Sequence, residues 1–465
     1  MDYVARTIAR HVDFHFDAQA AACFRQADIV WCRWHEVERI AGGSTNAIII
    51  PINPPHMSPD AGWDVAFRGT SLVLWNRIAL PDGSWQPDSE AAPLWYFGPN
   101  GLRMPAWDLA GTMFDLLTMG EEHRSSQRDL FGRSVAAMSP RAGDGRLAVP
   151  MVNNSVAVLV DQSMRLVHGH KAMAMPFAKP MTVCLSHDLD QLRGDDMWTV
   201  LAGLWRVASP VRHGRLPSLA ALRTLTESLW SPRRYFMDDL LGMIAAEARL
   251  GFRSVSYVLC GRRGRYGART ASRHIRRYLP EIASHCEIGM HYNYDTRRDE
   301  EAFQRQRRQI ADITGQSPSA GRAHYLLMDP RTSFWFWAGQ GVDIDESLGY
   351  PDAVGYRAGI AGAFRPFNFE NGTELPIVCL PLVAMDSAIA ADFGSDYFAG
   401  IESMVKHLSV VGGTFTLLFH PGMFGNPAHP ETAGMYDRLL NLFKSHGAVS
   451  MTPAQCLAAE PEITG

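Results

Sequence analysis

The stretch Thr182-Val-Cys-Leu-Ser-His-Asp-Leu-Asp190 decides the fold of the C-terminal part of the chain. The apolar run Val183–Leu185 is followed at once by polar residues, which is typical of a buried parallel strand that ends at a binding site. Side chains alternate along a strand, so Asp188 and Asp190 share one face and His187 points away. Two carboxylates this close are costly to bury unless a cation or another partner stabilises them. The stretch therefore predicts a metal ligand beside a general base.

Short apolar runs continue to alternate with longer helical patterns after this stretch. Helices are predicted over Tyr235–Arg249, Glu300–Thr314 and Tyr397–Val411, each followed closely by glycine. The other predicted strands are Ser254–Leu259, Glu287–His291, Ile377–Leu382, Thr414–Phe419 and Ala448–Met451. Strands and helices that alternate in this way predict an α/β fold, a distorted or incomplete (β/α) barrel.

The region before the barrel has a different texture. The chain has 465 residues, more than a single core usually contains, so two domains are predicted. Residues 1–178 hold shorter apolar runs interrupted by proline, glycine and asparagine, which indicates a smaller α/β accessory domain. Residues 179–465 would then form the catalytic domain, with the stretch Pro176–Pro180 as the linker.

Composition excludes several classes of protein. The net charge of −4 offers no overall basic field for nucleic acid, and 20% charged residues is ordinary for a globular protein. Seven scattered cysteines without a CxxC pair indicate reduced thiols. The stretch Met1–Arg10 lacks a secretory pattern, and no window approaches 18 apolar residues. We therefore expect a cytoplasmic protein without a transmembrane segment.

Three further segments carry residues suited to chemistry. The predicted strand Glu287–His291 ends in histidine, a common ligand of zinc. Arg322 and His324 stand two residues apart on an extended segment and can face one pocket, where the arginine could hold a carboxylate. His420 follows the apolar run Phe415–Phe419, and histidine is well suited to donate a proton near neutral pH.

In this order, the motifs resemble the NodB homology domain, the catalytic domain of polysaccharide deacetylases, over about residues 181–455. The resemblance implies metal-dependent hydrolysis of an N-acyl group, most simply N-acetyl, from an amino sugar. Asp188 would match the catalytic base and His420 the catalytic acid. Asp190 and His291 would match two ligands of a divalent cation, expected to be Zn²⁺. Arg322 would match the arginine that tethers the base.

The sequence departs from the family at two motifs. The usual Thr-Phe-Asp-Asp-Gly is here Ser-His-Asp-Leu-Asp, with a residue inserted between the carboxylates. The family's second histidine, four residues after the first, is here Asp295. We expect His324 to replace it as the third ligand because imidazole keeps a nitrogen-rich shell, with Asp295 as the alternative.

Two more residues are expected to bind substrate. Tyr325 follows the third candidate ligand directly, and Arg357 lies in a segment that resembles the same divergent branch. For Arg357 a structural ion pair is an equal alternative. The expected substrate is a glycan that contains an acylated amino sugar, or its lipid- or nucleotide-linked precursor.

Other functions remain compatible with these motifs. Asp188 could be the nucleophile of a HAD-type phosphatase, although Leu192 stands where that pattern usually has threonine or valine. The Asp-Leu-Asp motif could hold the metal of a glycosyltransferase, which would leave His420 without a role. A metal-dependent amidohydrolase could act on a small linear or cyclic amide. A protein whose metal site had decayed could bind glycans without catalysis.

Overall fold

The structure is a computed structural model. It describes the whole chain except residues 1, 42–45, 82–83, 126, 144, 193–196, 215, 220, 223–224, 227–234, 263, 269–271, 394–395, 425–431, 433 and 461–465.

The N-terminal region combines a mixed sheet with a hairpin and a buried helix. Its strands are β1 (Ile29–Arg33), β2 (Ile48–Ile52), β3 (His56–Phe67), β4 (Thr70–Ile78), β5 (Gln86–Pro87), β6 (Trp95–Phe97) and β7 (Arg103–Pro105). Five of them form a sheet in the order β1-β2-β7-β6-β5, while β3 and β4 pair as an antiparallel hairpin. Its helices are Asp2–His15, Ala18–Gln26, Val37–Ala41, Leu109–Leu117, Gly120–Arg124, Pro140–Gly143 and Met151–His168. This arrangement agrees with the predicted α/β character of the region.

A parallel sheet dominates the C-terminal region. Its strands are β8 (Thr182–Leu189), β9 (Ser254–Leu259), β10 (Glu287–Tyr292), β11 (Ala320–Ala323), β12 (Ile344–Asp345), β15 (Val378–Cys379), β16 (Ala384–Met385), β17 (Thr414–Leu418) and β18 (Val449–Ser450), and a separate hairpin joins β13 (Phe367–Asn368) to β14 (Thr373–Glu374). The sheet runs β15-β12-β11-β10-β9-β8-β17-β16, and β18 also pairs with β8. Among the described residues this path ends at β15 and β16 without joining them, so the predicted distorted or incomplete barrel is confirmed.

Helices cover this sheet in the connections between its strands. They are Met197–Arg212, Tyr235–Leu250, Ser272–Ala283, Glu300–Thr314, Ser333–Gly339, Asp386–Phe393, Tyr397–Val411, Met435–Ser445 and Pro453–Ala458. The helix Glu300–Thr314 shows how the sequence sets the bounds. The side chain of Asp299 accepts a hydrogen bond from the backbone N–H of Ala302 at 2.9 Å, and Gly315 ends the helix in the left-handed region at φ +78°.

The two regions share one continuous core. Val12 and Trp107 of the N-terminal region belong to the same buried cluster as Leu185 and Leu417 of the barrel. The side-chain amide of Asn153 donates to the carbonyls of two barrel residues, Ala361 at 3.1 Å and Gly412 at 2.8 Å. The boundary between residues 178 and 179 therefore lies within a jointly packed structure, and the division into two domains stays a prediction.

Among the described residues, no helix is both long enough and apolar enough to cross a membrane.

Candidate active site

A buried arginine fixes the candidate base at the end of β8. The Nη1 of Arg322, on β11, donates to Oδ1 of Asp188 at 2.9 Å, and its Nη2 donates to Oε2 of Glu346 at 2.9 Å and to Oγ of Ser186 at 2.8 Å. The guanidinium also lies 4.6 Å from the ring centroid of Tyr257. Because Arg322 is fully buried and held on several sides, it can fix the orientation of the Asp188 carboxylate.

The charges around Asp188 keep it ionised. Burial alone would raise the pKa of this carboxyl group, but the positive charges of His291, Arg322 and His420 outweigh burial and lower it. A carboxylate in this state can accept a proton from water. Its position also allows it to act on a molecule beside His291, whose Nε2 lies 3.5 Å from Oδ2 of Asp188.

Three side chains converge next to this base. Oδ1 of Asp190 lies 3.3 Å from Nε2 of His291 and 3.4 Å from Nε2 of His324. Each of the three residues can offer one ligand atom to the same metal ion. The Nδ1 of His291 lies 2.9 Å from the carbonyl oxygen of Arg322, which can only accept, so Nδ1 carries the hydrogen and Nε2 keeps its lone pair for a cation.

The donor set fits a divalent cation. Oδ1 of Asp190 is buried and makes no hydrogen bond to any residue within the described part of the chain. Burial would raise the pKa of Asp190, but the neighbouring His324 and His291 lower it well below its usual value. Burial would lower the pKa of His291, but Asp188 and Asp190 raise it. The cluster therefore favours a positive charge, and two imidazoles with a carboxylate suit zinc.

His324 lies on a tight turn beyond the end of β11. The next two residues, Tyr325 and Leu326, have φ values of +62° and +53°, in the left-handed region that non-glycine residues rarely adopt. Nδ1 of His324 is buried and has no hydrogen-bond partner among the described residues. The turn brings the His324 ring to 5.0 Å from the ring of His291, between centroids.

Tyr325 packs within an aromatic cluster that both regions of the chain form. Its ring stacks on Phe131 of the N-terminal region at 5.2 Å between centroids. Tyr266 and Tyr294 contact it edge-on at 5.2 Å and 5.8 Å. The carbonyl of Tyr325 accepts a hydrogen bond from Nη1 of Arg133 at 3.1 Å. Tyr325 is therefore half-buried beside the candidate metal ligands, and its role in substrate binding stays a prediction.

The candidate acid is held by a carboxylate that the sequence did not reveal. Nδ1 of His420 lies 3.0 Å from Oδ2 of Asp386, and the backbone N–H of His420 donates to the same oxygen at 2.6 Å. Burial would lower the pKa of His420, but Asp386, Asp188 and Asp190 together raise it to about 10. The imidazole is thus protonated at neutral pH, with Nε2 as the atom that can transfer a proton.

A second polar network lies on the opposite face of β8. His187 points away from Asp188, as the strand alternation predicts, and its Nε2 lies 2.8 Å from Oε1 of Glu247. Its Nδ1 donates to the carbonyl of Phe419 at 2.8 Å, which links β8 to the residue before His420. The hydroxyl of Tyr436 also donates to Glu247, at 2.6 Å. This network stabilises the two strand ends that carry the candidate base and acid.

Two other predicted residues lie elsewhere. Oδ2 of Asp295 accepts a hydrogen bond from the backbone N–H of Tyr266 at 2.8 Å. The Asp295 carboxylate is therefore not part of the cluster that Asp190, His291 and His324 form. Arg357 is 3% exposed, and its Nη2 donates to Oε2 of Glu122 at 2.8 Å. Arg357 therefore forms the structural ion pair. Because its guanidinium is buried, it has no exposed face to offer a substrate.

Sequence reasoning missed two acidic residues of the site. Asp386 begins a helix directly after the two-residue strand β16, and Glu346 follows the two-residue strand β12. Burial raises the pKa of Glu346 to about 7, although Arg322 opposes this shift. In the sequence Asp386 follows the apolar run Leu382–Met385, whereas Glu346 follows the alternating stretch Val342–Asp345, and neither pattern reveals the partner.

Comparison with known proteins finds similarity only among solved structures. No protein-family model and no curated protein matches the chain. A protein described as a polysaccharide deacetylase from Mycobacterium smegmatis aligns with 14% identity over 61% of this chain and 90% of its own, with a TM-score of 0.37. A peptidoglycan deacetylase from Bacillus subtilis aligns with 13% identity over 60% and 92%, with a TM-score of 0.29.

A third structure is a carbohydrate esterase family 4 pseudoenzyme from Bacillus anthracis. It aligns with 9% identity over 60% of this chain and 66% of its own, with a TM-score of 0.30. Identities and TM-scores this low do not transfer an activity, and the similar structures include both enzymes and a pseudoenzyme. The function is therefore inferred from the residues of this chain.

Proposed function

We propose that this protein is a metal-dependent hydrolase that removes an N-acyl group, most simply acetyl, from an amino sugar. The single observation that carries the proposal is the presence of three groups at one end of the sheet. These are the Asp190–His291–His324 cluster, the Asp188 carboxylate held by Arg322, and the imidazole of His420 held by Asp386. Metal-dependent hydrolysis of an amide uses three functions: a cation as electrophile, a base and an acid.

The chain's own residues can carry out the proton transfers. Asp188 is ionised and fixed by Arg322, so it can take a proton from the attacking water. His420 carries a proton at neutral pH, so it can protonate the departing amine nitrogen as the carbon–nitrogen bond breaks. Asp190, His291 and His324 would hold the cation, proposed to be Zn²⁺. When bound, such a cation polarises the amide carbonyl and lowers the pKa of water.

The alternatives explain fewer of these contacts. A glycosyltransferase would use the Asp-Leu-Asp motif to hold a metal, but two histidines beside Asp190 suit zinc better than the oxygen-preferring cations. That function would also leave the buried Asp386–His420 pair unused. In a phosphatase, Asp188 would be the nucleophile, and the two imidazoles opposite it would have no role.

For the substrate, we propose an acylated amino sugar in a glycan, or in its lipid- or nucleotide-linked precursor, in the cytoplasm. All seven cysteines are free thiols, which supports a reducing compartment.

The test is an assay of the full-length protein loaded with Zn²⁺. Release of a free amine would be measured on N-acetylglucosamine oligomers, on a nucleotide-linked N-acetylamino sugar, and on small linear and cyclic amides. We expect turnover on at least one sugar substrate and its loss in D188N. Turnover restricted to the small amides would identify an amidohydrolase instead. Glycan binding without any turnover in the metal-loaded protein would identify a non-catalytic glycan-binding protein.

A further inference from the structure

The connection between β8 and β9 exposes an unusual amount of apolar surface. On the helix Met197–Arg212, the exposed fractions are 46% for Leu201, 46% for Leu204, 66% for Trp205 and 57% for Val211. Leu204 and Trp205 stand three and four residues after Leu201, so these three side chains lie on one face of the helix. The chain that follows exposes three more leucines. Together these residues define the apolar face: Leu201, Leu204, Trp205, Val211, Leu216, Leu219 and Leu222.

The concentration of these side chains in one segment distinguishes the apolar face. Single exposed apolar residues are normal on protein surfaces, and Leu130 and Trp335 are examples in this chain. Seven within 22 positions of sequence (201 to 222) form a different pattern, because exposed apolar residues concentrated in one segment mark a site of interaction.

The charges of the segment indicate the partner. Residues 197–226 contain four arginines and no aspartate or glutamate, in a chain whose net charge is −4. Arg206 and Arg212 are exposed on the same helix as the apolar face. A second copy of this segment would bring mainly like charges together, because the nearest acidic residues in the sequence, Asp195, Asp196 and Glu227, lie outside it. An anionic lipid surface offers both an apolar layer and negative headgroups.

We propose that the apolar face binds the interface of a lipid bilayer that contains anionic lipids. The helix has 16 residues and is about 24 Å long, shorter than the roughly 30 Å hydrocarbon core, so it would lie along the surface. Leucine and tryptophan insert at the level of the headgroups, while arginine binds the phosphates. This inference rests on the exposed apolar residues and on the arginines of the segment, and it does not depend on the proposed hydrolase activity.

The apolar face is connected closely to the candidate active site. The helix begins at Met197, seven positions after Asp190 (197 − 190). The last helix of the same connection, Tyr235–Leu250, packs on the turn that follows His420, where Phe236 lies against Gly422 and Phe424 lies against Gly242. Binding of a bilayer would therefore occur next to the segments that carry Asp190 and His420.

Vesicle sedimentation of the full-length protein tests the proposal. Vesicles of phosphatidylcholine alone would be compared with vesicles of phosphatidylcholine and phosphatidylglycerol in equal parts, at low and high salt. We expect binding to the mixed vesicles that weakens with salt. R206Q/R212Q should weaken it about 25-fold, since roughly 1 kcal/mol for each basic residue near an anionic surface corresponds to about fivefold for each arginine.

W205S tests the apolar contribution, with W335S as the matched control because Trp335 is also exposed, at 62%. W205S should weaken vesicle binding at least about tenfold, because a tryptophan buries a large apolar area. W335S should bind as the unmodified protein does.

Three results would overturn the proposal: no binding to the mixed vesicles at low salt, equal effects of W205S and W335S, or a dimer in analytical ultracentrifugation that W205S abolishes while vesicles are not bound. The last result would make the apolar face an interface between two copies.

Discussion

The two sides of the candidate site are built differently. On the strand side, Asp188 lies within β8 and accepts a hydrogen bond from the guanidinium of Arg322. His291 lies within β10 and donates a hydrogen bond to the backbone carbonyl of Arg322. On the loop side, Asp190 and His324 lie just beyond β8 and β11, and each has a buried polar atom without a hydrogen-bond partner among the described residues. The strand side is therefore ordered by the protein alone, whereas the loop side is suited to be ordered by a bound cation.

The largest expected effect belongs to the strand side. D188N should lower turnover by roughly 10²–10⁴-fold, the range for general acid–base groups, because the amide cannot accept the proton from water. Metal content should largely persist, since Asp188 is not a proposed ligand. Turnover and bound zinc would be measured together, with D437N, at an exposed surface position, as the control. Near-normal turnover in D188N would remove Asp188 from the role of base.

The two histidines should differ in their effect on metal affinity. H291A should weaken zinc binding by about 100-fold or more, and H324A by about tenfold, because only His291 is oriented by a hydrogen bond at its second nitrogen. Competition with a chelator would measure both, with H285A as the control because His285 is exposed. An equal or larger loss in H324A would contradict the difference between the two sides.

The carboxylate behind His420 should set the alkaline limit of activity. An acid works only while protonated, so the rate should fall as pH rises through the pKa of His420, which Asp386 raises. D386N removes that contribution, lowers the pKa and should move the alkaline limb of the pH–rate profile to lower pH. A bound cation would oppose the contributions of Asp188 and Asp190 but not that of Asp386. If the alkaline limb stays at the same pH in D386N, the limb reports the titration of a group other than His420.

The smallest effect is expected at Asp295. Its carboxylate accepts a hydrogen bond from the Tyr266 backbone and lies outside the metal cluster, so D295A should bind zinc as tightly as the unmodified protein. The same chelator titration used for H324A measures it. Loss of zinc in D295A with retention in H324A would make Asp295 the third ligand and would reassign the loop side of the site.

The sequence predicts the long elements better than the short ones. Ser254–Leu259 and Glu300–Thr314 agree with the structure at both ends, because a full strand or helix carries enough apolar residues to show its period. The run Ile377–Leu382 was predicted as one strand, but only Val378–Cys379 pairs. Buried apolar residues can be packed without a strand, so hydrophobicity alone overestimates its length. The two-residue strands β12 and β16 are too short to show any period.

The sequence predicted those parts of the candidate site in which the type of residue itself suggests a role, such as histidine for a metal ligand or arginine for holding a carboxylate. The structure brings together Asp190, His291 and His324, and it places Arg322 against Asp188, although their roles stay predictions. Asp386 could not be found, because its partner is 34 residues away in sequence and the contact depends on the pairing of β16 with β17. Arg357 forms the structural ion pair that was the equal alternative to substrate binding, and the sequence could not decide between them because the partner, Glu122, lies in the other region of the chain.

That ion pair has a consequence for any attempt to produce the barrel alone. Without residues 1–178, Arg357 would keep a desolvated charge and lose its counter-ion, while Gly412 and Ala361 would lose the amide of Asn153. Removing one partner of a buried ion pair typically costs about 3–5 kcal/mol, a large share of the stability of an ordinary domain. The truncated chain should therefore aggregate or misfold, and the intact chain should melt in a single cooperative transition.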